Sequence, residues 1–169
     1  MKTPALKGHE ILQTEGLKEV FGSIQSAGGE ARIVGGAVRN ALLGEPVHEI
    51  DLATTLTPEQ VMVAAEAAGL TAHPTGIDHG TVTIVSKNNA FEVTTLRRDM
   101  ETHGRHATVA FTDDWQADAA RRDFTMNALY ASADGEILDP LGGASDLFSR
   151  IIRFSGDPET RIREDYLRI

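Results

Sequence analysis

Apolar residues at Leu17, Val20, Phe21 and Ile24 recur at the spacing of one helical face and are followed by Gly28-Gly29, which predicts an amphipathic helix over residues 14–27. Residues 31–34, Ala-Arg-Ile-Val, are then expected to be a short buried strand. Further on, Thr57-Pro58-Glu59-Gln60 supplies a capping hydroxyl, a first-turn proline and a capping-box glutamine ahead of Val61, Ala64, Ala65 and Ala68, with Gly69 closing the pattern. A second helix is expected there. Residues 81–85 and 91–96 are rich in β-branched side chains and flank Lys87-Asn88-Asn89, so they predict a β-hairpin. Residues 129–131 and 136–138, joined around Asp134-Gly135, predict another short pair, and Pro158 predicts a last helix that begins near Glu159 and continues to Ile169. Interleaved elements followed by hairpins suit an α+β fold, a mixed β-sheet with helices packed on one side.

Composition narrows the class. At 169 residues and 41% hydrophobic content the chain suits one compact domain, or a domain and the start of a second. No run approaches the roughly 20 apolar residues of a membrane span, and the first residues lack the apolar stretch of a signal peptide, so a cytoplasmic protein is expected. With no cysteine, disulfides, thiolate metal sites and cysteine nucleophiles are excluded. The net charge of −9 implies weak RNA binding by this segment alone, because nucleic-acid surfaces are usually basic.

Three segments carry candidate chemistry. Gly35-Gly36-Ala37-Val38-Arg39 joins the predicted strand to a helix running through Leu43. Small residues there let the backbone approach a ligand whose phosphates meet free N–H groups. Alone, the pair of glycines reads first as a tight turn. In Glu49-Ile50-Asp51-Leu52-Ala53-Thr54, acidic and apolar residues alternate, so on a strand Glu49 and Asp51 share one face while Ile50 and Leu52 enter the core. Adjacent carboxylates repel unless a cation sits between them, and hard oxygen ligands suit Mg2+. Taken singly, such a pair is an ordinary solvated strand face. Glu92 is a candidate third carboxylate. Arg121-Arg122-Asp123-Phe124-Thr125-Met126-Asn127 offers arginines for a triphosphate and an Asp and Asn for sugar hydroxyls. Near the C-terminus, Asp165 and Arg168 stand one helical turn apart, an acceptor beside a donor fork able to read a base edge; otherwise they form a surface ion pair. His103 and His106 have zinc-like spacing but no partner pair elsewhere.

Taken in order, VGGAVRNALLG, EIDLATTLTPEQV, RRDFTMNALY, ILDPLGGASDL and EDYLR resemble the head and neck motifs of the class II CCA-adding and poly(A) polymerase family, over about residues 30–169. The resemblance implies a polymerase-β-like nucleotidyltransferase head over residues 1–150 and the beginning of a helical neck over residues 151–169. By the same resemblance, Gly36 and Arg39 contact nucleotide phosphate, Glu49 and Asp51 are catalytic and bind the metal, and Arg122 contacts the nucleotide with Arg121 in support. Asp123 and Asn127 then sense the ribose 2′-hydroxyl, and Asp165 and Arg168 present themselves to the base. Asp99 with Gly104-Arg105 resembles the family's flexible loop motif, and residues 139–146 a structural turn. Glu49 departs from the pattern, which usually has Asp in that place, and the longer side chain implies a shifted metal geometry. Family members continue beyond the last motif into neck, body and tail regions that hold tRNA.

The implied reaction is Mg2+-dependent attack of an RNA 3′-hydroxyl on the α-phosphate of CTP or ATP, which adds CCA to tRNA. A poly(A) polymerase or A-adding specialist shares the same head, and a binding module with impaired catalysis is the rival from another class.

Overall fold

A computed structural model describes residues 4–103 and 106–169, with side chains described outside residues 101–109. Helix α1 (Leu17–Ser26) buries Leu17, Val20, Phe21 and Ile24, the stripe that its spacing predicts. Strand β1 (Ala31–Val34) leads into α2 (Gly36–Leu43), and β2 (Asp51–Thr54) into α3 (Pro58–Ala67). The α3 capping box is formed: the Thr57 hydroxyl accepts from the Gln60 N–H at 3.3 Å and the Gln60 side chain accepts from the Thr57 N–H at 2.9 Å. Strands β3 (Thr71–Gly76), β4 (Thr81–Ser86) and β5 (Asn89–Thr95) follow, then β6 (Arg97–His103) and β7 (His106–Phe111). Helix α4 (Trp115–Ala120), β8 (Tyr130–Ala131), β9 (Ile137–Leu138), α5 (Gly143–Phe148) and α6 (Pro158–Glu164) complete the order.

The β4–β5 hairpin turns at Lys87 and Asn88, both with positive φ (48° and 68°), the backbone twist that two-residue hairpins favour. Seven strands form one mixed sheet in the order β3-β4-β5-β2-β1-β8-β9, and β6 and β7 pair separately. Among the pairings of the described residues in this sheet only β2 with β5 is parallel, and that register sets Asp51 directly beside Glu92. The α+β mixed sheet is thus as expected.

Alternation along the strands divides the core. Ile33, Leu52, Val82, Ile84 and Val93 face one way, into a layer closed by α1, α2 and α3. Their neighbours Val34, Ala53, Leu96 and Tyr130 face the other way, where the short α4 contributes Ala119 and Trp115 packs alongside. Each fully buried aliphatic or aromatic side chain contributes about 1.5–3 kcal/mol, so the larger layer dominates stability.

The final helix departs from expectation, since α6 stops at Glu164 and does not run on to Ile169. Asp165 is extended (φ −155°, ψ 109°), and its carboxylate caps a separate 3-10 turn over Tyr166–Arg168. No residue of α6 is buried, so packing does not sustain it. The Asp165 side chain competes for backbone N–H groups and ends it.

Candidate active site

The glycine turn is built as its sequence requires. Gly35 precedes α2 with φ 73° and ψ −131°, a conformation open essentially to glycine alone. At Gly36 a Cβ would lie 3.4 Å from the Arg39 guanidinium, so the missing side chain leaves that group room. Arg39 Nη1 donates to Asn127 Oδ1 at 2.7 Å and Asn127 Nδ2 donates to Asp123 Oδ1 at 3.1 Å. Arg39 of one segment and Asp123 and Asn127 of another therefore form one bonded group, with Gly36 beside the Arg39 guanidinium.

The carboxylates converge by a different route. Glu49 lies just before β2 instead of on it, because the strand begins at Asp51. Strand alternation therefore does not bring Glu49 and Asp51 together. The strand instead pairs Asp51 with Glu92, and all three acids line a cavity of about 310 Å3. Burial raises the Asp51 carboxyl above its usual range, and the charges of Glu92 and Glu49 push it further, while Arg122 opposes them. The cavity thus carries an excess of negative charge, which raises the cost of ionising Asp51. Among the described residues no group of three acids or histidines is placed to hold a metal ion, so the three acids share a cavity without forming a ligand set by themselves. A larger groove of about 660 Å3 lies between α1 and α3, lined mainly by small residues and remote from this chemistry.

Arg121, Arg122, Asp123, Asn127, Asp165 and Arg168 line a second cleft of about 340 Å3. Arg122 forks onto Asp118 Oδ2 through Nε at 3.2 Å and Nη2 at 3.1 Å. Burial opposes the Arg122 charge, but Asp118 and Tyr130 outweigh it and hold the guanidinium charged. Arg121 pairs with Asp99 of β6 at 3.4 Å. Gly104 and Arg105 lie outside the described residues, as do the side chains of His103 and His106.

Asp165 and Arg168 reach the cleft but do not form the expected acceptor-and-fork on one helical face. The Asp165 carboxylate accepts from the Leu167 N–H at 3.0 Å, and Arg168 Nη1 donates to Glu164 Oε2 at 2.9 Å and to the Arg161 carbonyl at 3.0 Å. The helix break at Asp165 is the cause.

The turn at residues 139–146 is structural. Asp139 accepts from the N–H groups of Gly143 (2.7 Å) and Ala144 (3.0 Å), and Asp146 accepts from the Thr125 hydroxyl (2.8 Å) and from Arg153 (3.1 Å). It braces the Thr125–Asn127 turn that carries Asn127. Sequence reasoning missed Asp118 and Tyr130. Only the i,i+4 spacing of Asp118 and Arg122 signals their contact.

The mixed sheet thus carries an Arg39–Asn127–Asp123 group after a glycine turn, and an acidic cavity whose Asp51 feels the charge of Arg122. The chain belongs to the family of the Poly A polymerase head domain, whose model matches residues 31–153. It is 46% identical over 164 residues to the CCA tRNA nucleotidyltransferase 1, mitochondrial, of Danio rerio, covering 96% of this chain and 38% of that protein. Among solved structures it is similar to the Bacillus stearothermophilus CCA-adding enzyme in complex with CTP, with a TM-score of 0.78 at 40% identity over 99% of this chain and 38% of that one. A tRNA nucleotidyltransferase complexed with a primer tRNA and an incoming ATP analog matches with a TM-score of 0.69 at 29% identity, over 88% of this chain and 42% of that one. The chain spans well under half the length of these proteins.

Proposed function

We propose that this chain is the catalytic head of a template-independent RNA nucleotidyltransferase that adds CCA, from CTP and ATP, to the 3′ end of tRNA. The observation that carries the proposal is the meeting of Glu49, Asp51 and Glu92 in one cavity, with Asp51 close enough to feel the charge of Arg122. Relatives solved with CTP and with primer tRNA and an ATP analog support the choice of substrates. In this reading the head extends to about residue 150 and a neck begins over residues 151–169. The acidic head leaves most of the RNA grip to residues outside this chain. A cytoplasmic setting accompanies the reading.

Nucleotidyltransferase chemistry of this family uses a divalent metal, and the residues fit one. The acids are hard oxygen donors whose mutual repulsion a cation relieves, and we assign Mg2+ to Glu49 and Asp51, with Glu92 alongside. When bound, the ion supplies Lewis-acid stabilisation of the phosphate charge and of the attacking oxygen. Arg39 and the Gly35-Gly36 turn receive the triphosphate, and Arg122 neutralises charge that develops as pyrophosphate leaves. In the step itself the 3′-hydroxyl oxygen bonds to the α-phosphorus, the bond to the pyrophosphate oxygen breaks, and the hydroxyl proton is released to solvent. Asp123 and Asn127 orient the ribose through its hydroxyls. Asp165 and Arg168 read the base, for which Arg168 must leave Glu164 and the Arg161 carbonyl.

ATP-only addition is the second reading, favoured by the match of residues 31–153 to the Poly A polymerase head domain. Full-length protein given a tRNA trimmed of its CCA end with CTP alone, and in parallel with ATP alone, separates the two. Incorporation of C is expected; incorporation from ATP but none from CTP overturns CCA addition.

A further inference from the structure

Asp118 sits on α4 at 2% exposure, and Tyr130, on β8, is fully buried beside it. A carboxylate in such a place is costly unless its oxygens are met by donors. They are: Oδ2 takes both arms of the Arg122 fork and the Tyr130 hydroxyl at 2.7 Å, and Oδ1 takes the Arg97 backbone N–H at 3.0 Å. The Tyr130 hydroxyl also accepts from Arg122 Nε at 3.3 Å. Its ring stands edge-on to Trp115, with centroids 5.1 Å apart. The acceptor atoms are thereby fixed by packing from both sides.

This arrangement has two consequences. The fork occupies Nε and Nη2 of the planar guanidinium and sets its plane, while Nη1 makes no hydrogen bond to the described residues and Arg122 lines the cleft. The other carboxylate oxygen grips the first residue of β6, so the β6–β7 hairpin, which carries Asp99, is joined to the same arginine. Arg121 repeats the link through Asp99 at 3.4 Å.

We infer that Asp118, steadied by Tyr130, is a positioning residue that presents the free edge of Arg122 to nucleotide phosphate and couples that edge to the base of the β6–β7 hairpin. The inference rests on the nucleotide-binding reading above and adds residues to it. Asp118 touches no substrate; it acts through Arg122. A purely structural ion pair would stabilise the fold without distinguishing a phosphorylated ligand from an unphosphorylated one.

The test is calorimetric binding of CTP with Mg2+, with cytidine measured as a competitor, to wild-type protein and to Asp118→Asn. Misorienting one charge-assisted contact is expected to weaken CTP about tenfold and to leave cytidine unchanged. Asp118→Asn added to Arg122→Ala is expected to cause no further loss. Parallel loss of CTP and cytidine, additive losses in the double variant, or unaltered CTP affinity would each overturn the inference. Tyr130→Phe keeps the carboxylate and deletes one of its donors, so a smaller loss confined to CTP is expected. If Asp118→Asn does not fold, the inference stands or falls on Tyr130→Phe. Wild-type protein that binds neither CTP nor ATP overturns the functional reading and this inference with it, whereas normal wild-type binding with indifferent variants overturns this inference alone.

Discussion

Replacing Gly143 with alanine tests whether α5 braces the turn that carries Asn127. A Cβ at Gly143 would lie 1.9 Å from the Thr125 carbonyl oxygen, 2.5 Å from its carbon and 3.1 Å from the Met126 nitrogen. All three are backbone atoms, so no flexible side chain can yield. The helix cannot simply back away, because Asp139 holds its first N–H groups and Asp146 holds the Thr125 hydroxyl. Overpacking of a fixed contact costs about 1–3 kcal/mol, and this one belongs at the upper end. At about 2–4 °C per kcal/mol for a chain of this size, Tm should fall by about 6–12 °C. The same substitution at Gly22, mid-helix in α1, meets no atom within 4 Å. It should raise stability by about 0.5–1 kcal/mol through helix propensity. Thermal unfolding followed by circular dichroism reads both variants. CTP affinity measured well below Tm should also fall in Gly143→Ala, because the displaced turn carries the Asn127 partner of Arg39. A Gly143→Ala protein that melts with wild type, or shifts in the same direction as Gly22→Ala, would refute the reasoning.

Asp51→Asn should raise Tm at neutral pH. Burial and the neighbouring acids lift the Asp51 carboxyl above its ordinary value, so the folded state holds this proton more tightly than the unfolded chain. Stability is therefore lost as pH rises from the usual carboxylate range through the raised value and stays lower above it. The gain from Asp51→Asn should vanish in acid, and Mg2+ should stabilise wild type but not the variant; a lower Tm at neutral pH would contradict this in a calorimetric scan. Thr57→Ala removes one half of the α3 capping box and should cost about 1 kcal/mol, which urea unfolding would register as a lower midpoint with an unchanged slope.

Elements with strong local patterns were legible in the sequence. The short strand β1 and the capping box of α3 predict those elements nearly to the residue, and the stripe of α1 predicts its buried face, though the helix begins at Leu17, three residues later than expected. Others leave little local trace. Arg97, Arg98, Asp99 and Met100 open β6 without the alternation of a half-buried strand, and Pro74 interrupts β3. Helix α4 has only 6 residues, too few to show a period. The sequence motifs named the candidate ligands, but their convergence depends on long-range pairing. Asp51 meets Glu92 through the parallel β2–β5 register, and Arg39 meets Asn127 across 88 positions. Even near in sequence, two expectations erred: Glu49 precedes its strand, and the Asp165 side chain ends the helix that was to carry it. Both errors came from extending a period through a residue whose backbone does not follow it.

The most direct measurement is single-turnover incorporation by the full-length protein on a tRNA trimmed of its CCA end, with CTP and Mg2+, comparing wild type with Asp51→Ala. Wild type should extend the tRNA and Asp51→Ala should leave it unextended while still folded by circular dichroism. Extension by Asp51→Ala at the wild-type rate would contradict the claim that the carboxylate cavity is the catalytic centre.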